Sequence, residues 1–451
     1  MLSYGLGDAG TGLAATQLGF YLFPFFISKA GLPAVIAGSL LMVIKLWDAI
    51  NDPLIGWLSD HTSSRWGPRL PWMIGAATPL GITLAAMWWV PPGDVSQKTA
   101  YYIFMAVLLM TAYTCVNLPF AALSTELTEE TSVRTRLNAA RFTGSILAGL
   151  SGLVIAARLL SEGNSGYVSM GRLTGAIATI ATLASCWGLA PFAKKARKPI
   201  GKTETFKRQL KRILNNGRFL KVIGLYLLLW CGLQLMQTVS LIYLEEVMQV
   251  PTVISKWIPI PFQLSALLGL QVWSFYSNKF GRISALYWGG GLWIIACILA
   301  IILPPLSPNG NISTLFSINN LEGLKMIALL TVIFIVGFGA STAYLIPWSL
   351  LPDAIDEDPE KPAGIYTAWM VLIQKLGIGI SVQLLGVLLS VSGYRSANNC
   401  QELLQCLEQP HSAQIAIRIC MGLIPALLVV AGILIMRSWD KSENRLRASN
   451  S

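Results

Sequence analysis

Long apolar runs separated by short polar turns set the pattern of this chain. Stretches such as "LYLLLWCGLQLMQTVSLIYL" and "MGLIPALLVVAGILIM" are continuous rather than alternating, so they predict helices and not the strands of a membrane barrel. Each is long enough to cross about 30 Å of hydrocarbon. Twelve spans are predicted, at residues 5–30, 33–59, 70–91, 99–123, 138–160, 171–193, 218–247, 252–276, 282–304, 325–351, 363–392 and 411–437. Turns such as "VPPGDVSQK" join many of them. The first run starts near Met1 with no basic segment ahead of it, and it reads as a helix that is retained.

Composition sharpens this picture. Only 12% of the 451 residues are charged and the mean hydropathy is +0.59, whereas soluble domains carry about 25% charged residues. The fold class is therefore an all-α membrane protein embedded in the lipid bilayer. The net charge of +11 comes mainly from basic residues in the loops, as the positive-inside bias requires, and is not a nucleic-acid signal. The most basic segment, "KKARKPIGKTETFKRQLKRILNNGR", lies between spans six and seven, with Glu204 its only acid. It is expected to be cytoplasmic, and an even span count then puts both termini on the same side. Phe206, Leu210 and Ile213 share one helical face there, which predicts a helix lying on the membrane surface. The expected organisation is a six-helix half at 1–193, a basic linker at 194–217, a second half at 218–437 and a tail at 438–451.

The halves repeat. "SDHTSSRWGPR" follows span two and "YSNKFGR" follows span eight; "PFAALSTEL" ends span four and "PWSLLPDAI" ends span ten. Two pairs of matches at corresponding places indicate an internal duplication, a common transporter plan. The carboxylates of span two have no counterpart in span eight, where "FQLSALLGLQVW" stands.

Those carboxylates are the strongest chemical signal. Asp48 and Asp52 lie four positions apart, so a helix puts them on one face, with Asn51 beside them and Lys45 a turn away. An ionised acid at mid-span costs about 2.5–3.5 kcal/mol on insertion scales. Like charges this close also favour sharing a proton. A bound cation removes both penalties, and carboxylate and amide oxygens suit Na⁺ or H⁺. The alternative is structural pairing with bases on neighbouring helices, for which Lys375, deep in span eleven, is the available ammonium. Asp60, Arg65 and Arg69, with Gly67 allowing a tight turn, read as a cytoplasmic charge network that could latch one face shut. Ordinary loop chemistry is the alternative there.

At these residues the chain resembles a known family. "WDAINDPLIGWLSDHTSSRWGPRLPW" is similar to the signature of the glycoside-pentoside-hexuronide:cation symporters of the major facilitator superfamily. Supporting stretches are "LSYGLGDAG", "NLPFAALSTELTEETSVRTRLNAARF" and "IQKLGIGISVQLLGVLLSVSGY". The resemblance implies a major facilitator fold, with twelve transmembrane helices in two pseudo-symmetric six-helix halves. It also implies alternating access and import coupled to Na⁺, Li⁺ or H⁺. By position it implies Asp48, Asn51, Asp52 and Thr114 as cation ligands, Lys375 as the link between cation and substrate, and Arg141 as a residue close to substrate. The sequence departs from the sugar carriers in three places. Gly12 stands where they carry an acid in the first helix, Asn117 where they carry a second, and Ala121 where they carry an aromatic residue; Asp8 lies about one turn before Gly12. These losses remove acceptors that hydroxyl recognition favours. "IPWSLLPDAIDED" is also similar to lysolipid-carrying relatives, which leaves a lysophospholipid as the alternative substrate.

Expected, then, is a secondary active transporter working as a monomer in a bacterial inner membrane. It would take a small molecule or lysolipid near Asn117, Arg141, Trp348 and Lys375, at the midplane between the halves, with no cofactor beyond the coupling cation. The rival from another class is a membrane sensor that kept the fold and lost transport. No nucleophile–base constellation points to an enzyme, and His61 and His411 are too far apart in sequence to suggest a metal cluster. "GLGDAG" fits a dinucleotide motif but opens a membrane helix with no strand before it, and so reads as helix packing. Cys400 and Cys406 share a polar loop, where a disulfide and two free thiols are both open readings.

Overall fold

The computed structural model describes residues 2–127, 130–161, 165–193, 205–307, 315, 319–360, 362–396 and 409–449. Among them no strand forms, and twelve helices are long and apolar enough to cross a membrane. They are α1 (Ala9–Ser28), α2 (Ala34–Asp60), α3 (Leu70–Met87), α4 (Val95–Leu127), α5 (Thr131–Leu160) and α6 (Gly166–Ala193). Then come α7 (Gly217–Ile242), α8 (Pro259–Phe280), α9 (Arg282–Ile302), a split α10 (Leu321–Ala340 and Thr342–Ile355), α11 (Ala363–Val391) and α12 (His411–Arg418, resumed at Ile424–Ser449). A separate linker helix, Phe206–Asn215, precedes α7. The described residues divide into two compact units, one from the N-terminus through α6, the other from the linker helix onward.

The interruptions follow from local chemistry. The first predicted span is broken at Gly7–Asp8, leaving a short helix Leu2–Leu6 ahead of α1; Gly and Asp are both poor helix formers. The eighth span begins with an isolated turn at Thr252–Ser255 and restarts at Pro259, where proline's missing N–H costs nothing. α7 and α12 contain π turns at Tyr243–Val247 and Ile419–Leu423. The tail expected after residue 437 continues α12 helically to Ser449.

Within the first unit, α2 packs against α4, and α1 packs against α5 and α6. This brings polar positions of α1, α2, α4 and α5 into one interior. Pro53 and Pro119 lie inside α2 and α4. Neither can donate to the carbonyl four residues earlier, so the helices carrying the acids and Thr114 each lose one internal hydrogen bond beside those residues. Gly12 explains one departure from the sugar carriers. A Cβ built there would lie 2.3 Å from Ser145 Oγ and 2.9 Å from Ser145 Cα, so α1 crosses α5 too closely for any side chain at that position.

Candidate functional site

Three polar clusters assemble in the first unit. In the innermost, Thr114 of α4 faces the acids of α2. Its hydroxyl lies 3.4 Å from Asp48 Oδ1 and 3.3 Å from Asp52 Oδ1. Asp48, Asn51 and Thr114 are buried and Asp52 is half-buried. Asn51 Nδ2 donates to the Met110 carbonyl at 3.4 Å, one turn before Thr114. The structure therefore brings Asp48, Asp52 and Thr114 together and ties Asn51 to the same stretch of α4. Two carboxylates with neutral oxygens at these separations match a monovalent cation or a proton. Among the described residues no group of three or more His, Cys, Asp or Glu could hold a metal ion, and a divalent centre would call for more hard ligands than this.

A second cluster centres on Asp8, whose carboxylate is 4% exposed. Asp8 Oδ2 pairs with Arg141 Nε of α5 at 2.9 Å. Asp8 Oδ1 accepts from Thr11 Oγ1 at 2.6 Å and from Asn117 Nδ2 at 2.9 Å. The Arg141 guanidinium also lies over the Phe120 and Phe142 rings, 5.7 Å from each centroid. The missing carboxylate inferred from Gly12 and Asn117 is thus corrected. Asp8 reaches the side chain of Asn117 from one turn away and supplies an acceptor there. The signal in the sequence is an acid three positions before Thr11. Tyr113, half-buried between the clusters along α4, lies within electrostatic reach of Asp8, Asp48, Asp52 and Arg141.

The third cluster lies at the end of α2. Arg69, 5% exposed at its side chain, meets Asp60. It donates through Nε to Glu126 Oε1 at 2.8 Å and through Nη1 to Ser59 Oγ at 2.6 Å. Asp60 and Arg69 come together as expected; Arg65 does not join them. Its exposed guanidinium lies 4.8 Å over the Trp66 ring instead. Glu126 takes the third place in the network. It is the acid that follows "PFAALST", already visible in the repeat. Gly67 adopts φ +83°, and a Cβ there would stand 2.4 Å from the Ala193 carbonyl; both facts require glycine. Arg69 and Glu126 lie just outside the spanning segments. Burial alone would lower the pKa of Arg69, but Glu126 and Asp60 outweigh it and raise the value. Burial pushes the Glu126 carboxyl up, and Arg69 offsets only part of that rise because Asp60 adds to it. Two acids around one base account for the direction at Arg69, and burial is the main cause at Glu126.

In the second unit the matching end of the repeat holds Arg282 and Asp353, joined at 2.6 Å. Arg282 also donates to the Ser349 carbonyl at 2.6 Å. Trp348 belongs to an aromatic series across α7 and α10: Trp348–Tyr226, Tyr226–Trp230 and Trp230–Tyr344, with centroids 5.7, 5.9 and 4.9 Å apart. Lys375 is half-buried within α11. Cys400 and Cys406, and the most basic part of the linker, lie outside the described residues.

Comparison with known proteins gives the family of the chain. The family model described as MFS/sugar transport protein matches residues 3–440. An uncharacterized symporter of Synechocystis sp. is 30% identical, over 96% of this chain and 92% of its own. The sodium-dependent lysophosphatidylcholine symporter 1 of Gallus gallus is 24% identical, over 99% of this chain and 87% of its own. The crystal structure of the nucleoside transporter NupG superimposes with a TM-score of 0.67 at 14% identity, covering 96% of this chain and 97% of that one. A chain whose described residues form twelve apolar helical spans, one of them carrying a buried and a half-buried acid, and which a family model matches over nearly its whole length is a transporter rather than an enzyme, and it belongs to the MFS/sugar transport protein family of the major facilitator superfamily.

Proposed function

We propose that this chain is a symporter in which Asp48, Asn51, Asp52 and Thr114 bind the coupling cation, Na⁺ or H⁺. The observation that carries the reading is the Thr114 hydroxyl set between two carboxylates inside apolar spans. With the site empty, two negative charges repel in a poorly solvated interior; a bound monovalent cation balances one of them and relieves the repulsion. Occupancy therefore changes the local charge strongly, which is what coupling requires. Asp52→Asn in proteoliposomes is expected to abolish cation-dependent accumulation.

The substrate is proposed to be a small hydroxylated molecule of the glycoside class, held near Asp8, Asn117 and Arg141. Asp8 supports this choice twice. It restores a carboxylate acceptor beside Asn117, and it neutralises Arg141, which leaves that guanidinium less available for a phosphate. The second reading is a lysophospholipid, favoured by the named activity of the Gallus gallus relative. Thermal-shift screening of glycosides and lysolipids, each with and without Na⁺, separates the two. Stabilisation by lysolipid alone overturns the glycoside reading. The excess of basic residues in the linker supports placing both termini on the cytoplasmic side of the membrane. Asp60, Arg69 and Glu126 then form a gate network on that side, with Gly67 setting its turn and Arg65 outside it.

A further inference from the structure

The linker helix is more than a tether. Its Arg212 donates through Nη1 to both oxygens of Asp358, each at 2.8 Å, and through Nη2 to Glu360. Asp358 also accepts from the Tyr366 hydroxyl at 2.9 Å and from the Glu360 backbone N–H at 3.0 Å. Tyr366, fully buried in the first turn of α11, in turn accepts from Asn216 Nδ2 at 3.1 Å. Asn216 is the cap of α7: its Oδ1 accepts from the Phe219 N–H at 2.8 Å, and its Nδ2 also bonds the Ala354 carbonyl at the end of α10. A turn further along α11, Trp369 donates to Gln209 at 3.3 Å and packs on Phe206 with centroids 5.0 Å apart. Ile213 seals the apolar face at 2% exposure.

The linker helix and the start of α11 thus meet at one buried carboxylate, and the Tyr366 hydroxyl joins the cap of α7 to it. Arg212 and Asp358 have side chains only 13% and 6% exposed, so their geometry is held far more firmly than a surface pair's. The neighbouring Arg208–Glu360 pair is 63% and 57% exposed and adds little. A cavity of about 550 Å³, lined by Arg208, Lys211, Asn215 and Glu357 among others, opens beside the network. Outside the spanning segments, Asp358 is partly desolvated, which would raise its carboxyl; Arg212, the Glu360 N–H and Tyr366 more than reverse this and hold it below the ordinary carboxylate value.

We infer that Arg212 and Asp358 are positioning residues for transport: through Tyr366 the linker helix sets the placement of α11 against the cap of α7. The helix so held carries Lys375, nine residues after Tyr366, and the inference rests on the symport reading only for its functional consequence. A rigid start to α11 lets the α7, α10 and α11 ends move as one body, and a loosened start uncouples them.

The test is Arg212→Gln, Asp358→Asn and the exchanged pair Arg212→Asp with Asp358→Arg, all in the full chain in proteoliposomes. Two readouts are taken: hydrogen–deuterium exchange at residues 362–372, and the maximal rate and KM of cation-driven uptake. Each single variant is expected to raise exchange there and to lower the maximal rate about tenfold with KM moved less than about twofold. The exchanged pair is expected to restore both. Raised exchange with an unchanged maximal rate would overturn the inference, as would unchanged exchange. Where a single variant fails to reach the membrane, Tyr366→Phe removes the hydroxyl's two hydrogen bonds, to Asp358 and from Asn216, and must move both readouts in the same direction. If the unaltered chain accumulates none of the glycosides or lysolipids offered, the symport reading fails while exchange still decides whether the strap holds α11.

Discussion

The two units carry the same ion-pair device at the same place in the repeat, and they treat it differently. In the first, Arg69 and Glu126 are 5% and 6% exposed and Asp60 joins them. In the second, Arg282 and Asp353 are 31% and 33% exposed and pair with each other and a backbone carbonyl. Coulomb attraction is available to both, but only the buried set has lost its water. Its partners are therefore locked to one another: removing either leaves an uncompensated buried charge. The exposed pair can exchange its partner for solvent at small cost. The same contrast runs through the interiors. The first unit gathers Asp8, Asp48, Asp52, Thr114 and Arg141, whereas the corresponding part of the second is lined by Tyr226, Trp230, Tyr344 and Trp348.

This contrast can be broken from its strongest point downward. Arg69→Gln strands the buried Glu126 carboxylate, while Asp60 keeps its contact with solvent, and should cost about 3–5 kcal/mol, read as a large drop in thermal midpoint of the purified protein. A drop no larger than that of Arg282→Gln would remove the distinction between the units. Asp8→Asn leaves Arg141 without its carboxylate and is expected to lower stability by about 1–3 kcal/mol. It should also weaken glycoside binding; unchanged binding with lowered stability would make Asp8 structural only. Arg282→Gln should cost no more than about 1 kcal/mol, and the loss should shrink in high salt, where exposed pairs are screened.

The smallest effect is one of pH. Because the folded-state value of Asp358 is depressed, the stability it contributes is present above the ordinary carboxylate range. That stability is lost as pH falls through the depressed value. The melting difference between the unaltered chain and Asp358→Asn is therefore expected to be constant near neutrality and to close below about pH 4. A difference that widens on acidification would contradict the assigned direction.

Much of this was legible in the sequence because lipid imposes a simple demand: spans must be long, helical and apolar. That is why α2 runs from Ala34 to Asp60 against an expected 33–59. The four-residue spacing of Asp48 and Asp52 likewise survives folding unchanged, since a helix conserves it. What could not be read was which helices approach one another. Asp8 stands one turn before Gly12 in the sequence, yet the fold sets its carboxylate against the Asn117 amide of α4. Arg65 and Arg69 looked equivalent as loop bases, and only the fold decides that Arg69 turns inward to Glu126 while Arg65 lies on Trp66. The linker helix showed its amphipathic face in sequence, but its grip on Asp358 and Tyr366 joins residues about 150 positions apart, beyond any periodicity argument.

The central claim is that the carboxylate pair of α2 is the seat of the coupling cation. It is tested most directly by uptake into proteoliposomes under an imposed Na⁺ or H⁺ gradient, with Asp52→Asn beside the unaltered chain. The account predicts gradient-driven accumulation by the unaltered chain and none by the variant, with exchange of substrate down its own gradient retained. Accumulation by Asp52→Asn that still follows the cation gradient would contradict it.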